Sequence, residues 1–435
     1  MNYVIIGNGA AGVAAAETLR KIDPQGEITI VTSEPYPAYS KCLLASYLSS
    51  RPLANPNCDP AGQTLYFKDA SFYSKNRIRI LYNHRVNSID CRQKRLKATR
   101  MEPSRSQFEL SYGRLLIASG SKPVVPPIKG LHRVDSHFLN TLGDAKRILT
   151  AAARARKIVV AGAGFVGLEV AFNLRKLGLE VTLIEKARRI LPAQLDETAA
   201  QIITHELQAE GIKLHLGTAI VEAVPKPGFG ALVRRRKDLK GIRLDNGQFI
   251  AADILVIATG SAPNLDFVNP KEIRINRGII VNSRMMASAG GIYAAGDVME
   301  LSAADGNNLL SPIWPNAVVS GEYAAYNMAG IPRELDQIAG MQNAAEFREI
   351  PLVSMGLVET AGPKVDEFID FRPGQGIYRK VILKDDRIIG MVFLGDISQS
   401  GVIGSLIKSQ TPVGHLKSHL LAPNFGYGFA SALTI

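Results

Sequence analysis

Cysteine is scarce in this chain: three in 435 residues, Cys42, Cys58 and Cys91, with neither CxxC nor CxxxxC spacing. That excludes a disulfide framework, argues against a zinc site and leaves no ligand set for an iron–sulfur cluster. A reducing cytoplasm is the expected compartment. Long apolar runs are also missing; none approaches the roughly 18 residues that a membrane-spanning helix requires. The apolar start, Val4-Ile5-Ile6, has no basic segment before it and soon turns glycine-rich. It reads as a first strand, not a signal peptide. Acidic charge is in deficit, with 39 Asp+Glu against 51 Lys+Arg and a formal net charge of +12. Basic residues gather at Arg92, Lys94, Arg95 and Lys97, and again at Arg234, Arg235, Arg236 and Lys237. Such runs are either solvated hairpin edges, where lysine discourages aggregation, or an attraction for an acidic partner. They lack interleaved aromatics and no DNA-binding motif accompanies them, so nucleic acid is not expected as a partner.

What is present is glycine, 39 residues of it, in a pattern stated twice. The length suggests two to four domains. Tyr3–Ile6 is a short apolar strand, Gly7-Asn8-Gly9-Ala10-Ala11-Gly12 a turn, Val13–Ile22 a helix and Glu27–Val31 a β-branched strand ending near Glu34. Further on, Lys157–Ala161 is a strand, Gly162-Ala163-Gly164-Phe165-Val166-Gly167 a turn, Leu168–Leu177 a helix closed by Gly178, and Glu180–Ile184 a strand ending at Glu185. The copies lie too far apart for a solenoid and read as a duplicated βαβ unit. A second phrase recurs as well. Leu115-Leu116-Ile117-Ala118-Ser119-Gly120 is answered by Leu255-Val256-Ile257-Ala258-Thr259-Gly260, each an apolar strand running into small residues. Such strands need both faces covered, as in a parallel sheet between helices. Beyond the Gly330-Ile331-Pro332 break the pattern changes. Gly376–Leu383 and Arg387–Leu394 alternate as strands about Asp385-Asp386, and Ser398–Lys408 reads as a helix.

A lone GxGxxG says little, but here each follows a strand, opens a helix and has an acid at the next strand's end. The first glycine permits the tight turn, the second lets backbone N–H groups approach a pyrophosphate, and the third allows close packing. The helix N-terminus adds partial positive charge. Glu34 and Glu185 are the candidate ribose acceptors, with a solvated strand end as the alternative for each. A carboxylate at Glu185 repels the 2′-phosphate of NADP and accepts the 2′-OH of NAD, although Lys186, Arg188 and Arg189 follow closely.

These phrases, with Tyr39-Ser40-Lys41-Cys42-Leu43-Leu44, Tyr293-Ala294-Ala295-Gly296-Asp297-Val298 and Leu310-Ser311-Pro312-Ile313-Trp314-Pro315-Asn316-Ala317, resemble one superfamily. It is the FAD-dependent pyridine nucleotide–disulfide oxidoreductases, and the resemblance runs over essentially the whole length. Within it, the chain is most similar to the branch of rubredoxin and ferredoxin reductases and the flavin module of assimilatory nitrite reductases. The resemblance implies an α/β fold with two Rossmann-like dinucleotide-binding domains and a C-terminal α+β interface domain. An FAD domain would span 1–125 and 255–332, an NAD(H) domain 126–254, and the interface domain, a possible homodimer contact, 333–435. FAD would be held by Gly7, Gly9, Ala10, Ala11, Gly12 and Glu34. Asp297 would meet its ribityl chain and pyrophosphate, Trp314 and Pro315 its ring (a plain core tryptophan being the alternative for Trp314), Val86 the adenine, and Ser119-Gly120 would pass close by. Lys41 would reach FAD, a solvated lysine being the alternative. NAD would be held by Gly162, Gly164, Phe165, Val166, Gly167, Glu185 and Gly260, with Glu169 at the nicotinamide side or merely on a helix surface.

The departures shape the functional expectation. Without a CxxxxC pair the chain cannot reduce disulfides by that family's usual route. Single-cysteine relatives place a redox cysteine where Cys42 falls, but theirs precedes a glycine and Cys42 precedes Leu43-Leu44; their active-site histidine is here Ala10. Cys42 is therefore either a catalytic thiol or a small side chain packed near the flavin. The expected activity is transfer of electrons from NADH through FAD to an external acidic carrier, such as a rubredoxin, a ferredoxin or an iron–sulfur subunit. The alternatives are an NADH oxidase or CoA-disulfide reductase working through Cys42, and a non-catalytic FAD-binding subunit.

Overall fold

The computed structural model describes residues 1–50, 65–101, 105–227, 238–302, 308–335, 338, 340–359 and 365–426. Cys58 and the Arg234–Lys237 cluster lie outside them. The chain divides into two compact units: Met1–Leu43, Pro60–Val124 and Ser261–Ala339 form the first, and Leu44–Asp59, Val125–Gly260 and Gly340–Ile435 the second. No helix among the described residues is long and apolar enough to cross a membrane.

In the first unit the apolar strand Asn2–Ile6 lies at the centre of a five-stranded sheet. The order is Ile292–Ala294, Arg114–Ile117, Asn2–Ile6, Glu27–Val31 and Ile78–Leu81, every pair parallel. Its middle strands are buried on both faces, which is why they read as unbroken apolar runs. Helix Ala10–Ile22 buries Val13, Ala16 and Leu19, and carries Arg20 and Lys21 in the last turn, where cations suit the helix dipole. Helix Trp314–Met328 crosses it closely. A Cβ at Gly321 would stand 2.3 Å from the Ala11 carbonyl oxygen, so only glycine permits this crossing. A three-stranded antiparallel sheet, His84–Asp90, Arg95–Arg100 and Ser106–Ser111, completes the unit with short strands Ser121–Pro123 and Ser261–Pro263. Arg92 and Lys94 lie exposed in the turn of the first hairpin, while exposed Arg95 and Lys97 both pair with Glu109.

The second unit repeats the plan with Lys157–Ala161 between Glu180–Glu185 and Ile254–Ile257, again parallel. The registers match: Ile6 faces Ile117 in one sheet as Ala161 faces Ile257 in the other. The sequence expectation assigned Leu255 onward to the returning FAD segment. In the structure Ile254–Ile257 belongs to the second sheet, paired with Lys157–Ala161 and with Ser136–Phe138, and the chain passes to the first unit at Ser261. The physical reason is symmetry: each small-residue exit strand closes the sheet of its own fingerprint.

The C-terminal region, also in the second unit, is a five-stranded antiparallel sheet. Its order is Gln342–Phe347, Ile350–Gly356, Arg387–Leu394, Ile377–Lys384 and Val365–Arg372. The sequence pattern anticipates the central hairpin, whose Asp385 and Asp386 both have positive φ, and a helix, here Ser400–Ser409. Ile403 and Leu406 pack with Met355, Val381 and Phe393. On the other face the hydroxyl of Tyr378 donates to Asp196 at 2.5 Å, and Lys380 pairs with Asp196 at 3.2 Å. Asp196 also caps helix Glu197–Ala209, so one carboxylate ties this sheet to that helix.

Candidate functional site

A cavity of about 480 Å³ opens in the first unit at the carboxyl end of its parallel strands, the place where such sheets bind ligands. Its wall begins with the fingerprint. Gly7 has φ +114°, and a Cβ there would lie 2.1 Å from the Ala118 carbonyl oxygen; one at Gly12 would lie 2.0 Å from that of Gly7. A Cβ at Gly9 would meet nothing within 4 Å. Two glycines are thus required by the protein's own backbone, and the third faces open space. Gly9 opens helix Ala10–Ile22 without a side-chain cap, and the first turn holds no acid. The leading N–H groups of a helix have no intrahelical partner, so this end suits an anion.

The structure gathers most of the predicted FAD residues on this cavity. Gly7, Gly9, Ala10, Ala11, Glu34, Lys41, Val86, Ser119, Gly120, Asp297 and Trp314 line it, and so does Cys42. Gly12 and Pro315 do not. Gly12 is consumed in packing on Gly7, and Pro315 lies inside the first turn of helix Trp314–Met328, so Pro312 takes the wall position beside Trp314. Asp297 sits in the short turn Gly296–Val298, whose N-cap is Ala295, and accepts from the Ser121 hydroxyl at 3.0 Å. Trp314 meets Phe67 edge-on, centroids 5.1 Å apart. Glu34 Oε2 accepts from the Tyr39 hydroxyl at 2.7 Å, which holds the carboxylate in place.

Other wall residues carry no motif that marks them in the sequence: Asn8, Tyr36, Arg85, Asn87, Asn264 and Asp266 among them. Asn8 braces the turn, accepting from Tyr73 at 2.9 Å while the Tyr73 hydroxyl accepts the Ala38 N–H at 3.0 Å. A polar residue inside a glycine turn was the one available signal. Arg85 and Asn87 flank buried Val86 on a strand, and only the pairing of that strand reveals which face they share.

The second unit builds the same turn with the same clearances. A Cβ at Gly162 would stand 2.4 Å from the Ala258 carbonyl oxygen, one at Gly167 1.9 Å from that of Gly162, and one at Gly164 would meet nothing within 4 Å. Glu185 is bonded to the turn itself: its carboxylate accepts the N–H of Ala163 at 2.7 Å and of Ala187 at 2.8 Å. An ionised carboxylate has about four acceptor sites, so capacity remains for hydroxyls. Val166 is exposed on the first turn of the helix, while Phe165 stacks on Phe347. Gly260 has φ +102° at the exit of the paired strand. Glu169 lies one turn into helix Phe165–Lys176, where burial pushes its carboxyl up to about 7.

Both turns fit dinucleotides. FAD would be held by the Gly7–Gly12 turn with Glu34, Asp297 and Trp314, and NAD(H) by the Gly162–Gly167 turn with Glu185. Residues 345–411 match a domain described as the rubredoxin NAD+ reductase C-terminal domain. The chain is 28% identical to the NADH-dependent phenylglyoxylate dehydrogenase subunit epsilon of Aromatoleum evansii, covering 98% of this chain and 96% of that one. It is 30% identical to the assimilatory nitrate reductase electron transfer subunit of Bacillus subtilis, covering 97% of this chain but 51% of that relative, about half its length. Among solved structures it resembles a NAD-dependent persulfide reductase from A. fulgidus, with a TM-score of 0.81 and 26% identity over 97% of this chain and 79% of that one. Residues 1–321 match the pyridine nucleotide-disulphide oxidoreductase family, and with both glycine turns in place the chain belongs to that family.

Proposed function

We propose that this protein draws electrons from NADH and passes them, by way of a flavin in its first unit, to an external iron–sulfur carrier of the rubredoxin or ferredoxin kind. The observation that carries the reading is the pair of matched glycine turns, each with one glycine open to a ligand. A single dinucleotide would need only one. Bound FAD supplies a ring that accepts a hydride and gives electrons up singly. The chain's own part is to bind, align and exclude water. Gly9 and the uncapped helix start hold a pyrophosphate, Asp297 accepts from hydroxyls, Trp314 walls the ring end, and Glu185 orients the second nucleotide. A non-catalytic subunit would not need the second turn. The C-terminal match to a rubredoxin reductase domain and the electron-transfer role in the Bacillus subtilis relative's name favour a protein acceptor. The C-terminal sheet is the proposed interface region, with a homodimer among its possible uses.

The +12 charge supplies the test. Attraction between a basic reductase and an acidic carrier raises association rates and weakens as salt shortens the Debye length to about 8 Å near physiological strength. Purified protein should be yellow, and anaerobic NADH should bleach it. With an acidic rubredoxin as acceptor, kcat/KM should fall steeply with salt while flavin reduction by NADH changes little. Protein that stays colourless with FAD supplied overturns the reading. So does failure to reduce any acidic carrier faster than oxygen, which would favour oxidase chemistry at Cys42, a residue on the cavity wall.

A further inference from the structure

The turn after strand Glu180–Glu185 carries three cations, Lys186, Arg188 and Arg189, beside the acid read as the ribose acceptor. Lys186 and Arg188 are exposed, but Arg189 is turned into the protein. Its Nη2 donates to Glu359 Oε2 at 2.8 Å and to the Pro192 carbonyl at 3.1 Å, and its Nη1 lies 4.0 Å from Glu197 Oε2. Its Nε is buried and has no hydrogen-bond partner among the described residues. The guanidinium is held, but not fully satisfied, by these contacts.

Glu359 comes from the C-terminal region, just beyond strand Ile350–Gly356, and is half-exposed. One further contact brings that region to the second fingerprint, and another brings it to the end of helix Glu197–Ala209. Phe347 stacks on Phe165, the first helix residue after Gly164, with centroids 6.4 Å and planes 10° apart. Arg348 pairs with Glu206 at 3.0 Å and Glu210 at 2.8 Å. A segment distant in sequence thus sets the surroundings of the nucleotide turn.

In Rossmann sites an arginine near the strand-end acid is what accommodates the 2′-phosphate of NADP. We propose that Glu359 is a specificity-determining residue: by pairing with Arg189 it withholds that guanidinium from a 2′-phosphate and so reinforces the preference for NADH. The inference rests on the reading of the second turn as the NAD(H) site. Glu185 acts directly on the ribose, whereas Glu359 acts through Arg189 and is a positioning residue.

The test compares native FAD-loaded protein with Glu359→Gln, Arg189→Ala and the double variant. Binding of 2′,5′-ADP and 5′-AMP is measured by calorimetry, and kcat/KM for NADPH and NADH with ferricyanide as acceptor. Glu359→Gln should tighten 2′,5′-ADP binding and raise NADPH kcat/KM by roughly tenfold, about the worth of one hydrogen bond to a charged group, with 5′-AMP and NADH little changed. Adding Arg189→Ala should cancel the gain. If Glu359→Gln leaves the preference unchanged, or the gain survives loss of Arg189, the proposal is overturned while the NAD(H) reading stands. Native protein that binds neither ligand and is not reduced by NADH overturns that reading, and the proposal with it.

Discussion

The Glu185 carboxylate accepts the backbone N–H of Ala163, in the middle of the second glycine turn, at 2.7 Å. The residue that would read the ribose therefore also fastens the turn that would hold the pyrophosphate. Its other oxygen takes the Ala187 N–H, so the following basic segment is folded around the same carboxylate.

Glu185→Ser should consequently do two things. Losing a charge-assisted tether should raise the KM for NADH roughly tenfold, and losing the repulsion of a 2′-phosphate should narrow the gap to NADPH. Steady-state kinetics with both nucleotides check this. Native protein that favours NADPH by kcat/KM would show that Lys186, Arg188 and Arg189 together outweigh Glu185.

The first fingerprint separates folding glycines from ligand glycines. Gly12→Ala places a methyl 2.0 Å from the Gly7 carbonyl oxygen and should sharply lower soluble yield. Gly9→Ala meets nothing within 4 Å, so the protein should fold and elute normally yet retain little FAD. Circular dichroism together with the visible flavin absorbance reads both. Equal flavin content in native protein and Gly9→Ala would remove the pyrophosphate from that turn.

Cys42 is exposed and lines the cavity of the first unit. If electrons pass from flavin straight to the acceptor, Cys42→Ser should leave NADH-to-dye transfer nearly intact. Anaerobic titration of the native protein should then take up about two electrons per FAD, all in the flavin. An uptake of about four that drops to about two in Cys42→Ser would make the thiol a redox centre.

Glu169 gives a pH signature. Burial raises its carboxyl from 4.5 to about 7, so between those values the folded chain keeps a proton that the unfolded chain has lost. The folded state binds more protons across that window; stability from this group falls as pH rises through it and is flat above, by an upper bound of about 3 kcal/mol. Glu169→Gln keeps the shape and removes the titration. Its apparent Tm should therefore drop less between pH 5 and pH 8 than that of native protein. Parallel curves for the two would mean that the carboxyl is solvated.

The glycine turns, their flanking strands and the acids at Glu34 and Glu185 were legible because local backbone geometry dictates them. A turn that needs φ +114° at Gly7 and +103° at Gly162 admits little but glycine, and parallel strands buried on both faces must be continuously apolar. The central C-terminal hairpin was legible through its alternation. Val365–Arg372 was not, since an edge strand carrying exposed Ile369 and Phe371 lacks the clean polar-out pattern.

By itself the sequence determined two dinucleotide turns, their order along the chain and the acids that follow them, because each is a short-range matter of φ, ψ and side-chain size. Tertiary structure alone decided which sheet Ile254–Ile257 completes, that Pro312 rather than Pro315 lines the cavity, and that Tyr39 steadies Glu34. It alone brought Glu359 to Arg189 across 170 positions. Hydrogen bonds and ion pairs act over a few ångströms of space and are indifferent to separation along the chain, so no local pattern announces them.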